Sequence, residues 1–205
     1  MSSRDTVLAS VRAAITGAAS PEVQRTYSRD LGVDRAALLE LFVERVDDYK
    51  ADVRVIGAAE LAGTIGSVLA SHGAGSVVVS EDLDPAWLTT VTCEVVRDDP
   101  PIEARRLDEI SAVVTASAVG IALTGTIVLD AGVGQGRRVI SLIPDLHICV
   151  VHADQVVGTV PEAMPRLDGT RPLTWISGPS ATSDIELDRV EGVHGPRNLV
   201  VLLVS

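Results

Sequence analysis

The chain has 205 residues, 46% of them hydrophobic, and a formal net charge of −11 at pH 7. That length and apolar content are enough for a sizeable core in one domain. The charge disfavours nucleic-acid and anionic-membrane partners, because phosphate binding requires clustered Lys and Arg. No apolar run reaches the roughly 18 to 20 residues that span a bilayer, and the N-terminus lacks the pattern of a signal peptide, so we expect a cytoplasmic protein.

The scarcity of lysine and cysteine narrows the possible chemistry. Lys50 is the only lysine, which excludes a P-loop, whose lysine reaches the phosphates. Cys93 and Cys149 lie far apart and neither belongs to a C-x-x-C pair, so this chain alone cannot build a zinc knuckle or an iron–sulfur cluster. We therefore predict that the chain binds no metal and no cofactor.

The first 50 residues predict two amphipathic helices. Val7, Leu8, Val11 and Ile15 recur at helical spacing, and a second apolar face follows Asp34, a residue suited to an N-cap, over residues 34–49. Between the helices, residues 17–29 have the composition of a connection. We assign residues 1–50 to an N-terminal helical extension.

From residue 51 onward, short β-branched runs alternate with helical or turn segments. One helix is predicted over residues 58–73. Strands are predicted over residues 53–56, 76–80, 93–97, 113–115, 126–129, 147–152, 156–160, 174–177 and 199–204. Continuous apolar strands separated by a helix of crossover length predict an α/β domain over 51–205 with a largely parallel sheet.

Two loops in the middle of this domain could contact a ligand. Thr124, Gly125 and Thr126 form a turn directly before an apolar strand, although glycine there could serve only the turn itself. The glycine-rich residues 132–138 do not have the G-x-G-x-x-G spacing of a dinucleotide loop. Gln135 and Arg137 are candidates for contact with an anionic substrate, and a solvated glycine hairpin is the alternative interpretation.

The segment 176–197 concentrates hydroxyls, glycines, prolines, carboxylates, a histidine and an arginine between two apolar runs. Ser183 and Glu186 have the spacing of a capping box, and a helix start of this kind attracts anions. A structural turn without a ligand is the alternative. The candidate ligand-binding residues here are Ser177, Gly178, Pro179, Ser180, Thr182, Asp184, Glu186, His194, Gly195 and Arg197. We expect four polar segments to converge in one site: the 124–126 turn, the 134–138 loop, the 177–186 turn and the 192–197 turn.

His194 and Glu186 are the candidate catalytic groups. His194 sits in a glycine-flanked turn, where a structural hydrogen bond to a backbone carbonyl is the competing interpretation. Asp184 and Glu186 diverge on a helix, so capping and dipole stabilisation explain them better than a catalytic dyad. His147 and His152 fall on opposite faces of a probable strand, which argues against a shared metal.

Four stretches, taken in order, resemble the signature of the lactate-utilisation (LUD) domain family, specifically its protein C-like members. They are TGTIVL (124–129), GQGRRVISLIPDLHICVV (134–151), ISGPSATSDIE (176–186) and GVHGPR (192–197). The resemblance implies a parallel α/β fold of the NagB/RpiA/CoA-transferase type. It also implies a role in oxidising L-lactate to pyruvate beside two iron–sulfur subunits, with those clusters expected in the partner subunits.

One departure from the family pattern bears on the chemistry. Many members of the family have an acidic residue just before T-G-T, and this chain has Leu123 there. Two hypotheses remain open. The chain is either the non-iron–sulfur subunit of a lactate-oxidising complex, with a small-molecule or partner site, or a free-standing isomerase- or transferase-like enzyme acting on a small phosphorylated or carboxylated metabolite.

Overall fold

The computed structural model describes residues 2–18, 23–24, 26, 28–178 and 195–205. The helices are α1 (Ser3–Ile15), α2 (Arg35–Asp47), α3 (Leu61–Ser71), α4 (Ala104–Leu107) and α5 (Val160–Ala163). The strands are β1 (Asp52–Ile56), β2 (Ser76–Val79), β3 (Glu94–Arg97), β4 (Ala112–Thr115), β5 (Val119–Ile121), β6 (Thr126–Leu129), β7 (Leu146–His152), β8 (Val156–Val157), β9 (Thr174–Ile176) and β10 (Asn198–Val204). Within these described ranges, no helix is long and apolar enough to cross a membrane.

Six strands form the main sheet, in the order β1-β10-β7-β4-β2-β3, and every pairing in it is parallel. Its central strands are almost entirely buried, as the continuous apolar runs in the sequence predict. The predicted α/β class is therefore confirmed. In the main sheet, β3 lies on one side of β2 and β4 lies on the other side. The strand order therefore reverses between β2 and β4.

A second, four-stranded sheet has the order β8-β5-β6-β9 and was not predicted from the sequence. β5 and β9 run antiparallel to β6, and β8 runs parallel to β5. The predicted strand over 156–160 is wrong beyond Val157, because α5 begins at Val160. Thr159 and Glu162 form a capping box that starts this helix: Glu162 accepts the Thr159 N–H at 2.7 Å.

The helices α2 and α3 cover opposite faces of the main sheet. Phe42 and Val46 of α2 are fully buried against β7, β10 and the second sheet. Ile65 and Val68 of α3 are fully buried on the other face. The predicted N-cap of the second helix is confirmed, since Asp34 accepts a hydrogen bond from the Ala37 N–H at 2.9 Å. The helix α1, in contrast, has no buried residue.

Candidate functional site

Three hydroxyl side chains, those of Thr124, Thr126 and Ser177, meet at the start of β6; we call them the hydroxyl cluster. The Thr124 and Thr126 hydroxyls are 2.7 Å apart, and Thr126 donates to the Ser177 oxygen at 2.9 Å. Since a hydroxyl has one hydrogen, Thr124 must donate to Thr126. The structure therefore joins the T-G-T turn to Ser177 across 51 residues of sequence.

Gly125 fixes the backbone of this turn against α2. Its φ of 59° lies in the left-handed region, and a Cβ at this position would lie 2.7 Å from the backbone of Arg45. The phenol of Tyr49 donates to the Gly125 carbonyl oxygen at 2.8 Å. Burial raises the pKa of Tyr49 well above its ordinary value, so the phenol remains a donor. Sequence reasoning missed this role of Tyr49, since nothing local to either residue indicates the contact.

The hydroxyl cluster lies at the amino edge of the main sheet. Tyr49 precedes β1 by three residues. It packs in the same apolar cluster as Ile176, which precedes Ser177, and Leu199, which lies at the start of β10. Arg197 lies directly before β10 at this edge. Its guanidinium is 3.5 Å from the Asp145 carboxylate, and both side chains are about two-thirds exposed, at 67% and 63%. Such a pair is weak and exchangeable.

The hydrogen bonds of the cluster leave capacity for a ligand. Ser177 donates to the Thr124 carbonyl at 3.4 Å, much longer than an ordinary O–H···O bond of about 2.7 to 2.8 Å. That hydrogen is therefore easily redirected to a ligand oxygen. Thr124 and Ser177 are both exposed and keep acceptor lone pairs. The arrangement suits a small molecule with both an oxygen acceptor and an O–H donor.

Residues 130–137, which we call the glycine loop, lie at the other end of the main sheet. Gly134 donates its N–H to the Asp82 carboxylate at 3.0 Å and accepts from the Ala116 N–H at 2.9 Å. Ala116 follows β4, and Asp82 follows β2. The glycine loop thus covers the carboxyl edge at the point where the strand order reverses, which is where open α/β sheets commonly bind ligands.

Gln135 is buried, with 5% of its surface exposed. Its side-chain oxygen accepts the Asp130 N–H at 2.6 Å, which closes the glycine loop on itself. Arg137 makes two hydrogen bonds of 2.6 Å to Asp98 and a third, of 3.1 Å, to the Ile102 carbonyl. Burial alone would raise the pKa of Asp98, but the Arg137 hydrogen bonds, the Ile102 N–H and the Arg137 charge outweigh it and lower the pKa. The polar groups of Gln135 and Arg137 therefore hold the glycine loop in place.

The expected convergence of all four polar segments is therefore wrong for the glycine loop. The 124–126 turn and Ser177 are in contact, and Gly178, Gly195 and Arg197 lie at the same amino edge, whereas the glycine loop lies at the carboxyl edge. β6 alone separates the two by roughly 13 Å, at about 3.3 Å per residue. The predicted site residues Pro179, Ser180, Thr182, Asp184, Glu186 and His194, together with the capping box at Ser183, lie outside the described residues.

A buried polar group lies inside the sheet between these two edges. His147 Nε2 is 2.7 Å from the Thr115 hydroxyl, and its Nδ1 has no hydrogen-bond partner among the described residues. Burial lowers the pKa of His147 to about 4, so the imidazole is neutral at pH 7. Burial also raises the pKa of the Cys149 thiol to about 12, so this cysteine is an inert thiol.

The protein is an α/β domain built from two sheets. The six-stranded parallel sheet carries the smaller mixed sheet on one face, and the hydroxyl cluster lies at its amino edge. Residues 39–204 match the LUD domain, and the chain belongs to the LUD domain family. The resemblance seen in the sequence motifs is thereby confirmed.

Several relatives of the chain carry the same name. It is 47% identical over 203 residues to "Lactate utilization protein C" of Deinococcus radiodurans, covering 97% of this chain and 94% of that one. A protein of the same name from Halalkalibacterium halodurans is 29% identical, covering 90% and 84%. A crystal structure described as a DUF162 family protein from Deinococcus radiodurans superposes with a TM-score of 0.74 at 43% identity, covering 84% of this chain and 99% of that chain.

Proposed function

We propose that this chain is the non-iron–sulfur subunit of a system that oxidises L-lactate to pyruvate, and that the amino-edge loops form its small-molecule or partner site. Its 47% identity to a lactate utilization protein C supports the assignment of the chain to such a system. The observation that carries the site is the hydroxyl cluster, where Thr124 and Ser177 are exposed and the hydrogen bond that Ser177 donates is long and exchangeable.

L-Lactate has both a hydroxyl donor and carboxylate acceptors, which the hydroxyl cluster can bind. Its hydroxyl is a donor for the lone pairs of Thr124 or Ser177, and its carboxylate accepts from Ser177 and from the exposed guanidinium of Arg197. The proposed site continues into Ser180, Thr182, Asp184, Glu186 and His194. In this proposal Gln135 and Arg137 do not contact the ligand, and their role is to hold the glycine loop in place.

The electrons of the reaction are proposed to leave through partner subunits. Conversion of lactate to pyruvate releases two electrons and two protons, and this chain offers only Cys93 and the buried Cys149 as thiol ligands. We therefore assign the iron–sulfur clusters to partners and no bound cofactor to this chain. Leu123, with 48% of its surface exposed beside the hydroxyl cluster, supplies no carboxylate, which favours the subunit over a transferase-like enzyme.

Growth on L-lactate tests the proposal. A strain that lacks the gene is complemented with the native chain, with the double variant Thr124→Val/Ser177→Ala, or with the control variant Thr89→Val, which removes an exposed hydroxyl elsewhere. We expect the double variant to lose at least 90% of lactate-dependent growth while the control grows normally. Full growth of the double variant would show that the hydroxyl cluster is not part of the site.

Purification of the tagged native chain from lactate-grown cells tests the subunit assignment. We expect stoichiometric co-purification of polypeptides with the broad visible absorbance of iron–sulfur clusters. A chain that purifies alone, and that by itself converts a phosphorylated or carboxylated metabolite, would favour the free-standing enzyme instead.

A further inference from the structure

The helix α1 presents an apolar face that the described residues of its own chain leave uncovered. Val7, Val11 and Ile15 are spaced four residues apart on one side of the helix and are 61%, 50% and 61% exposed, and Leu8 lies beside them. A helix of 13 residues is marginal in water by itself, because most helical stability in proteins comes from packing an apolar face. This face therefore requires a partner surface.

The same chain has an apolar groove of matching chemistry, which we call the α2 groove. It has a volume of about 390 Å³ and is lined by Leu39, Glu40, Val43 and Glu44 of α2, Val55 of β1 and Leu203 of β10. Val55 is 60% exposed, although it lies on a strand of the main sheet. The interior of the groove is apolar, so it suits the aliphatic side chains of an amphipathic helix better than a polar metabolite.

Charge at the rim favours α1 as the occupant. Glu40 and Glu44 are exposed and four residues apart, so they form an acidic row on one side of the groove. The helix α1 carries Arg4 in line with its apolar face and Arg12 beside it. Its one acidic residue, Asp5, is already bound by Ser2 in the capping box. A basic amphipathic helix and an acidic apolar groove are electrostatically complementary.

We propose that α1 of one chain occupies the α2 groove of a second copy, and that two copies exchange these helices reciprocally. The 19 residues between Ile15 and Arg35 are long enough to reach the chain's own groove, yet the part of the chain that the structure describes leaves both the helix and the groove uncovered. Reciprocal exchange about a two-fold axis covers both helices and both grooves and closes the assembly at two subunits.

Cross-linking between separately prepared variants tests this proposal. Val11→Cys and Val43→Cys are made in the Cys93→Ser background, Cys149 being fully buried. The two proteins are mixed and mildly oxidised. We expect a covalent dimer from the mixture, and less than one tenth as much when Val133→Cys, at an exposed position in the glycine loop, replaces Val43→Cys. Equal yields from the two mixtures, or a purely intramolecular bond in the Val11→Cys/Val43→Cys double variant, would overturn the proposal.

Sedimentation of the full chain measures the association itself. We expect a dimer for the native chain and a dimer dissociation constant at least tenfold higher for Val11→Asp, with the Val133→Asp control unchanged. Arg12→Glu and Glu44→Arg should each weaken the dimer, and their combination should recover at least half of the lost affinity. A monomeric native chain, a native chain that assembles beyond the dimer, a dimer insensitive to Val11→Asp, or no recovery in the combined variant would each contradict α1 exchange.

Discussion

The two polar regions at opposite edges of the main sheet differ in how their side chains are hydrogen-bonded. The polar side chains of the glycine loop at the carboxyl edge are engaged by the protein itself: Gln135 accepts from Asp130 within the loop, and Arg137 is bound to Asp98 outside it. The hydroxyl cluster at the amino edge has exposed oxygens and one long, exchangeable hydrogen bond. Polar residues near a turn therefore indicate a ligand site only when the hydrogen bonds that they make within the protein are weak or exposed.

The largest expected effect of a substitution is in the glycine loop. Arg137→Met should lower the free energy of unfolding by about 3 kcal/mol, because it leaves the Asp98 carboxylate, whose side chain is 3% exposed, without its partner. The matched control Arg138→Met, at the neighbouring exposed arginine, should stay within about 0.5 kcal/mol. Urea unfolding of both variants measures the difference. Equal effects would mean that the ion pair does not hold the glycine loop.

The buried imidazole between the two edges should make stability depend on pH. The pKa of His147 is lowered to about 4 in the folded state from 6.5, so its stabilising contribution is fully present above pH 6.5 and declines as the pH falls. About 3 kcal/mol should be lost by pH 4. Urea midpoints of the native chain and of His147→Gln, which cannot titrate, measure this slope between pH 6.5 and 4. The same slope in both proteins would refute the assignment to His147.

Gly125→Ala tests how the amino-edge turn is held. We expect a loss of about 2 kcal/mol, because alanine is strained at a φ of 59° and its Cβ would overlap the Arg45 backbone. Gly63→Ala is the control, since Gly63 lies in α3 with nothing within 4 Å of a new Cβ; it should gain up to about 1 kcal/mol. Thermal unfolding compares the two. A stable Gly125→Ala protein would mean that the turn is not packed on α2.

Much of the fold could be predicted from local patterns. The apolar periodicity after Asp34 predicts α2, and the continuous apolar runs predict the parallel strands. The three-residue strand β5 was missed because Gly120, a residue with low strand propensity, interrupts its apolar pattern. The T-V-P-E sequence at 159–162 contains the capping signature that ends the preceding strand, and reading it would have corrected the strand predicted over 156–160.

The site could be predicted only in part, because its partners are distant in sequence. The T-G-T turn and Ser177 were identified as polar segments, but their contact joins residues 51 positions apart. Arg137 was interpreted as available to a substrate, since its partner Asp98 lies 39 residues away in a different turn. Local composition indicates polar loops, and the packing of the sheets decides which of them have free groups.

Thr126→Val separates stability from function at the amino edge. Loss of its two hydroxyl contacts should cost about 1 kcal/mol, because Thr124 and Ser177 are exposed and regain hydrogen bonds from water. L-Lactate-dependent growth should nevertheless fall severalfold, since both exposed hydroxyls lose their orientation. Thr89→Val, at an exposed threonine elsewhere, serves as the control for growth. Unaltered growth with the expected loss of stability would make Thr126 purely structural.

His194→Ala should have the smallest effect on stability, within about 0.5 kcal/mol, if its side chain faces a ligand. We expect this variant to be stable and to lose lactate-dependent growth, whereas His72→Ala, at an exposed histidine of the same chain, should retain both. A melting curve and a growth assay decide the matter. A loss of about 1 to 3 kcal/mol with a proportionate loss of growth would indicate a structural hydrogen bond instead.

Hydrogen–deuterium exchange with and without L-lactate tests most directly the claim that the amino edge, and not the carboxyl edge, forms the site. We expect L-lactate to slow exchange in peptides covering residues 122–126 and 177–197, and to leave exchange in residues 130–137 unchanged. Slowed exchange confined to residues 130–137, with the amino edge unaffected, would contradict it.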